Sequence, residues 1–160
     1  MKKYEFTGEV KLWLGRTLHQ IRATVAFGDV KAGDVGGWIE KEENLSQDGN
    51  AWVYGDAQVY GGARVSGNAW VCGDARVYGD AWVCKMSHYL TVGPIGSRNG
   101  FTTFFRTKSL EINVTCGCFR GNIEAFAKQV QETHGDNDHA KHYMMAVEMA
   151  KAKIDLSLEE

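Results

Sequence analysis

The residues best suited to chemistry lie in one short stretch, Gly93 to Gly100, which reads GPIGSRNG. A glycine-rich turn exposes backbone N–H groups, and Ser97, Arg98 and Asn99 add donors that suit a phosphate or a carboxylate. Thr102, Thr103 and Arg106 follow on the adjoining segment, with Thr102 and Arg106 on one face of an extended chain and Thr103 on the other. Phe104 supplies a ring on which a base can stack. The spacing is not that of a P-loop and the turn does not open a helix. Two readings stand: an anion or nucleotide contact, and a plain hairpin turn carrying a solvated arginine.

Thiols and imidazoles offer less. Cys116 and Cys118 are separated by one residue, which is neither the Cys-x-x-Cys redox spacing nor a zinc pair, and no second such pair exists. His134, His139 and His142 have no distinctive ligand spacing, so no metal site is expected and the thiols read as small buried apolar groups on one strand face. His134 precedes Gly135, where a helix C-terminus favours it; a ligand contact is its second reading. An acyl-transfer base is unsupported, because residues 37–84 contain no histidine and only His19 and His88 flank them.

Elements must position these groups, and the composition limits what they are. The chain has 160 residues, 44% hydrophobic and 24% charged, which excludes wholesale disorder. A net charge of −2 argues against coating a nucleic-acid polymer. The opening MKKYEFTGEVKLW is basic but leads into no apolar run, and nothing approaches the roughly 18 apolar residues of a membrane span. The expectation is a cytoplasmic protein with no membrane partner and no cofactor. Its four cysteines, Cys72, Cys84, Cys116 and Cys118, are then reduced.

Nineteen glycines against one proline, Pro94, point to many tight corners. From residue 49 to 84 they fall in register: GNAWVY GDAQVY GGARVS GNAWVC GDARVY GDAWVC. Two looser hexads, GWIEKE (37–42) and ENLSQD (43–48), precede them in phase, with Asn44 and Leu45 in the Asn/Asp and Ala places. A fixed period of six is a β-helix signature. Side chains alternate across a strand, so the alanines at 51, 57, 63, 69, 75 and 81 and the valines two residues later point inward. The Gly-Asp/Asn pair makes each corner.

Here the chain resembles the hexapeptide-repeat family, whose members form left-handed parallel β-helices of triangular section, three hexads to a coil. The handedness is implied by the resemblance, since the usual crossover rule favours the opposite hand. The resemblance also implies that residues 18 apart lie on top of one another. Trp52 would then lie under Trp70, Gln58 under Arg76, Tyr60 under Tyr78 and Arg64 under Trp82. Members are commonly trimers, and outward Trp52, Tyr60, Trp70, Tyr78 and Trp82 are the expected oligomer interface.

The fold class expected is mainly β: a short left-handed parallel β-helix (37–84), an N-terminal β cap (1–36) and a C-terminal α+β domain (85–160). In the cap, VKLWL and IRATVAF read as strands. Beyond Cys84, HYLTVG, FTTFFRT and LEINVTCGCF read as three strands. Asn122 then N-caps IEAFAKQVQETH, and a second helix follows with Tyr143, Met144, Val147 and Ala150 or Ile154 inward, giving β-β-β-α-α. GPIGSRNGFTTFF with CGCFRGNIEAF and THG resembles a C-terminal domain of phage-carried and bacterial hexapeptide-repeat proteins.

The function expected is a non-enzymatic, homo-oligomeric binding protein for a small anionic, nucleotide-type ligand held by Ser97, Arg98, Asn99, Thr102, Thr103, Phe104, Arg106 and His134. The resemblance to phage-carried proteins implies one version, an anti-defence sponge for a nucleotide signal in the host cytoplasm. A structural oligomerisation module without ligand and a hexapeptide acyltransferase are the alternatives.

Overall fold

The computed structural model describes residues 1–157; residues 158–160 of the expected C-terminal domain lie outside the described residues. The chain divides into two compact units, Met1–Met86 and a second beginning at Ser87.

The first unit opens with strands β1 (Tyr4–Trp13) and β2 (Arg16–Ala23), joined by a tight turn at Leu14 and Gly15, and then β3 (Val35–Ile39). The hexads give six two-residue strands: β4 (Trp52–Val53), β5 (Gln58–Val59), β6 (Arg64–Val65), β7 (Trp70–Val71), β8 (Arg76–Val77) and β9 (Trp82–Val83). They pair in parallel as β4 on β7, β5 on β8 and β6 on β9, with Trp52 opposite Trp70, Gln58 opposite Arg76 and Arg64 opposite Trp82. Each hexad's alanine and valine are buried to 1% exposure or less. Every rung is also tied to the next by its backbone, as from the Arg64 N–H to the Ala81 carbonyl at 2.8 Å. No single hexad can bury its valine, so this β-solenoid region exists only as a stack.

Before residue 49 the register differs from the expected one. Trp38 pairs with Gln58, Ile39 with Val59 and Leu45 with Val65, so these partners are 20 residues apart (38 to 58) rather than 18. Leu45 therefore occupies a valine place, not an alanine place. The two extra residues fall at the Ser46–Asp48 corner, since Leu45 to Val53 spans eight positions where Val65 to Val71 spans six. The leader pins that longer corner: the Lys3 N–H donates to Gln47 Oε1 at 2.6 Å and Lys3 Nζ donates to the Ala51 carbonyl at 2.8 Å.

The leader also covers much of the outer surface. Trp52 lies edge-on to Tyr4 and Phe27, with centroids 6.5 and 5.3 Å away. Tyr60 stacks on Tyr78 at 5.8 Å beneath the Arg16 guanidinium. Trp13 lies 4.1 Å from the Arg76 guanidinium, and the Lys11 ammonium sits over Trp38. Trp52 and Tyr60 are only 3% and 2% exposed, which removes both from the expected interface: their own chain already covers them. Trp70 and Tyr78 are half-buried, and Trp70 donates from its indole to the Asn50 carbonyl. Arg64 and Trp82 remain exposed.

The second unit is a four-stranded antiparallel sheet, β10 (Tyr89–Ile95), β11 (Gly100–Arg106), β12 (Ile112–Cys116) and β13 (Phe119–Asn122), followed by α1 (Ile123–His134) and α2 (Asp138–Lys153). The expected third strand is thus a hairpin, and β-β-β-α-α becomes β-β-β-β-α-α. Gly117, at φ 58°, lets the chain reverse so that Cys116 pairs with Phe119. Cys118 consequently sits exposed in the turn while Cys116 is half-buried on the strand, which corrects the expectation of two thiols on one strand face. Asn122 and Asn137 cap the helices, accepting from the N–H groups of Ala125 (2.7 Å) and Ala140 (3.0 Å). Phe104 and Val114 from the sheet pack with Phe126 and Val130 of α1 and Val147 and Ala150 of α2. No helix among the described residues is long and apolar enough to cross a membrane.

The corners are testable. A Cβ on Gly67 would lie 2.7 Å from the Cys84 carbonyl oxygen, whereas one on Gly79 meets nothing within 4 Å, and both residues have nearly the same positive φ (62° and 66°). Each alanine variant carries the left-handed backbone penalty of about 1 kcal/mol. Gly67→Ala adds an overpacking cost, so it should be the less stable by about 1–3 kcal/mol. Denaturation followed by tryptophan fluorescence reads this directly, because all five tryptophans lie in the first unit. Equal midpoints would contradict the coil contact.

Candidate functional site

The second unit carries an open-mouthed cavity of about 320 Å³ built from four segments. The β10–β11 turn contributes Ser97, Arg98, Gly100 and Phe101; the β12–β13 hairpin contributes Cys116, Gly117, Cys118 and Phe119. One stripe of α1 supplies Phe126, Gln129, Val130, Thr133 and His134, the helical spacing that puts successive turns on one face. Tyr143 comes from α2.

The turn is closed by the Asn99 N–H donating to the Gly96 carbonyl at 3.2 Å, which leaves Ser97 and Arg98 as its two central residues. Among the described residues Arg98 forms no ion pair, and it is exposed at the cavity. Among the described residues no acidic side chain lines the cavity. On α1, Gln129 Nε2 donates to Thr133 Oγ1 at 2.9 Å.

Tyr143 ties the segments together. Its hydroxyl accepts from Cys116 Sγ at 3.8 Å, its ring stacks on His134 at 5.7 Å (24° between planes), and it stands edge-on to Phe126 at 5.7 Å. A Cβ on Gly96 would fall 1.9 Å from that hydroxyl, so only glycine lets the turn lie here. Burial first, and then the Cys116 thiol, push the Tyr143 phenol up to about 12. The sequence places Tyr143 in an apolar stripe. What could have marked it as more is its hydroxyl, which a half-buried position obliges to find a partner.

Of the residues expected to bind ligand, Ser97, Arg98 and His134 meet at this cavity, and Asn99 is in the same turn at φ 50° without lining it. The other four are corrected. Strand β11 pairs with both β10 and β12, and from Thr102 to Arg106 its side chains are buried. Phe104 is fully buried with its ring edge-on to Phe126 at 5.9 Å. Thr102 donates to Cys116 Sγ at 3.3 Å, Thr103 Oγ1 lies 3.3 Å from Thr91 Oγ1, and Arg106, 4% exposed, donates to the Ser157 carbonyl. These four hold the sheet. Of the residues that line the cavity, Phe101, Phe119, Gln129 and Thr133 were not expected from the sequence. Among the described residues no group of three His, Cys, Asp or Glu could hold a metal ion.

The Tyr143 environment predicts an alkaline signature. An acid whose folded value lies above its unfolded one favours the fold fully below the unfolded value, here 10.0, and loses that contribution as pH climbs through about 12. Helical circular dichroism should therefore show the second unit of the native protein losing stability between those pH values more steeply than Tyr143→Phe does. Parallel curves would show that the phenol is not held as described.

Residues 57–73 and 69–85 match the family described as YdcK Beta solenoid repeat, in agreement with the ladders β5 to β9. A stretch of 50 residues, 31% of the chain, is 50% identical to an Escherichia coli (strain K12) protein named "Uncharacterized acetyltransferase YdcK". That stretch covers 15% of the relative, so the chain spans a small part of the length of the curated protein it matches. The first unit thus carries a β-solenoid repeat similar to that of YdcK.

Proposed function

We propose that this chain is a non-enzymatic, self-associating binding protein whose second unit takes a small anionic, nucleotide-type ligand and keeps it unaltered. One observation carries the reading. Ser97, Arg98 and His134, from the β10–β11 turn and the far end of α1, converge with Phe101 and Phe119 around one cavity. Donors and a cation beside aromatic walls suit a flat ring bearing a negative group. The solenoid coils, left-handed as in the hexapeptide-repeat family, associate as a trimer, with exposed Arg64 and Trp82 offering an outer row that the leader leaves open. Retention without turnover fits a sponge for a nucleotide signal.

The printed name of the relative supports a second reading, acetyl transfer. Against it, His88 is fully buried and His19 stacks on Phe6 at 4.5 Å, so neither flanking imidazole is placed as an open base.

Thermal-shift measurements with mononucleotides, cyclic nucleotides, ADP-ribose, coenzyme A and acetyl-CoA test the reading. At least one anion should raise the melting temperature, by an amount that grows with its concentration, and Arg98→Ala should abolish the rise. Silence across the panel would favour a purely structural module, and acetyl-CoA turnover with an amine acceptor would overturn the non-enzymatic assignment. Native mass spectrometry should show a trimer weakened by Trp82→Ala; a monomer would contradict the assembly.

A further inference from the structure

The cavity carries information about charge and shape that narrows the ligand further, and this step rests on the binding function proposed above. Arg98 is the single side chain with a full charge among the lining residues. It stands at the centre of the β10–β11 turn beside Ser97, with no carboxylate paired to it among the described residues. One cation and a neighbouring hydroxyl can neutralise and hydrogen-bond one anionic group. A second or third phosphate would enter a space walled by Phe101, Phe119, Phe126 and Val130, where an uncompensated charge is expensive.

The α1 part of the lining is unsuited to an anion. Thr133 and His134 belong to the last turn of α1, where the carbonyl end of the helix carries partial negative charge. What that end does offer is a hydrogen-bonding edge. Because Gln129 spends one amide N–H on Thr133 Oγ1, its carboxamide oxygen remains as an acceptor, and the Thr133 hydroxyl hydrogen remains as a donor. An acceptor next to a donor matches a ring edge with one N–H beside one ring nitrogen or carbonyl. Size agrees: about 320 Å³ lies at the lower end of the roughly 300–1,000 Å³ of small-molecule sites, room for one ring system and one anionic group.

We infer that the pocket selects a planar heteroaromatic ring bearing one phosphate, as in a nucleoside monophosphate or a 3′,5′-cyclic monophosphate, with the phosphate on Ser97 and Arg98 and the ring edge on Gln129 and Thr133. Further phosphates find no second cation among the described lining residues, so di- and triphosphates and dinucleotides should bind more weakly than the monophosphate.

Calorimetry on the full chain with the 5′-monophosphates and 3′,5′-cyclic monophosphates of the four common bases, and with the nucleoside and triphosphate of each, decides this. The best monophosphate should bind at least about tenfold tighter than its own nucleoside and its own triphosphate. Arg98→Ala should erase the advantage of monophosphate over nucleoside. Gln129→Ala, at an exposed helix position where alanine is well tolerated, should weaken nucleoside and monophosphate by the same factor. A triphosphate or dinucleotide that binds as tightly through Arg98 would overturn the single-phosphate inference while leaving the binding function standing. Failure of every monophosphate overturns it too, and if the wider panel of anions is also silent, both fall.

Discussion

Close approach of backbone to backbone is the constraint on which both units depend. Stacked coils bring the Gly67 Cα to where a methyl group would meet the Cys84 carbonyl at 2.7 Å, and the same spacing places Gly49 against Gly67. Without that approach the ladder hydrogen bonds of about 3 Å between rungs could not form, and the alanine and valine rows would stay open to water. The second unit uses a related device at its cavity, where glycine backbone meets a side chain. Gly96 lies against the Tyr143 hydroxyl, so the loop that carries Ser97 and Arg98 is held to α2 by a contact no larger residue permits. Gly93 does likewise beneath the Phe101 ring.

The interior of the coils was legible because its chemistry is local. Alternation within each hexad decides which residues face inward, and the alanines and valines need no distant information. The outer faces were not legible, because what covers Trp52 is Tyr4 and Phe27, and nothing near residue 52 announces them. The offset before residue 49 escaped for another reason. Leu45 fits an alanine or a valine place equally well as an apolar residue, and only the extra length at Ser46–Asp48 separates the two. Cys116 to Cys118 shows the ambiguity of a glycine within an apparent strand, which marks either a bulge or a reversal; here the partner strand Phe119–Asn122 decides for reversal.

Among the residues that line the cavity, Ser97, Arg98 and His134 were legible, while Phe101, Phe119, Gln129 and Thr133 were not. Ser97, Arg98 and His134 stand in a turn and at a helix end, where a polar side chain has few reasons to be buried. Thr102, Phe104 and Arg106 were misjudged because alternation assigns faces without saying whether a strand is central. In the middle of that central strand Phe104 and Arg106 are buried, so neither the ring nor the guanidinium is open to a ligand. The work expected of Phe104 passes to Phe101 and Phe119, which sit next to turns rather than mid-strand.

The matches to the YdcK Beta solenoid repeat family and the cavity lie in different parts of the chain. The family matches end at residue 85, and the cavity begins at Ser97. Similarity within a hexad repeat is what coil stacking by itself demands: small residue, branched residue, glycine corner. It carries the architecture of the first unit and is silent on ligand chemistry. The groups that carry the proposed chemistry, an arginine with no ion pair among the described residues, a donor-acceptor pair on α1 and two phenyl rings, come from segments outside the matched repeats. The ligand chemistry proposed for this chain is therefore argued from the second unit, where a tyrosine hydroxyl and a glycine without a side chain set the geometry.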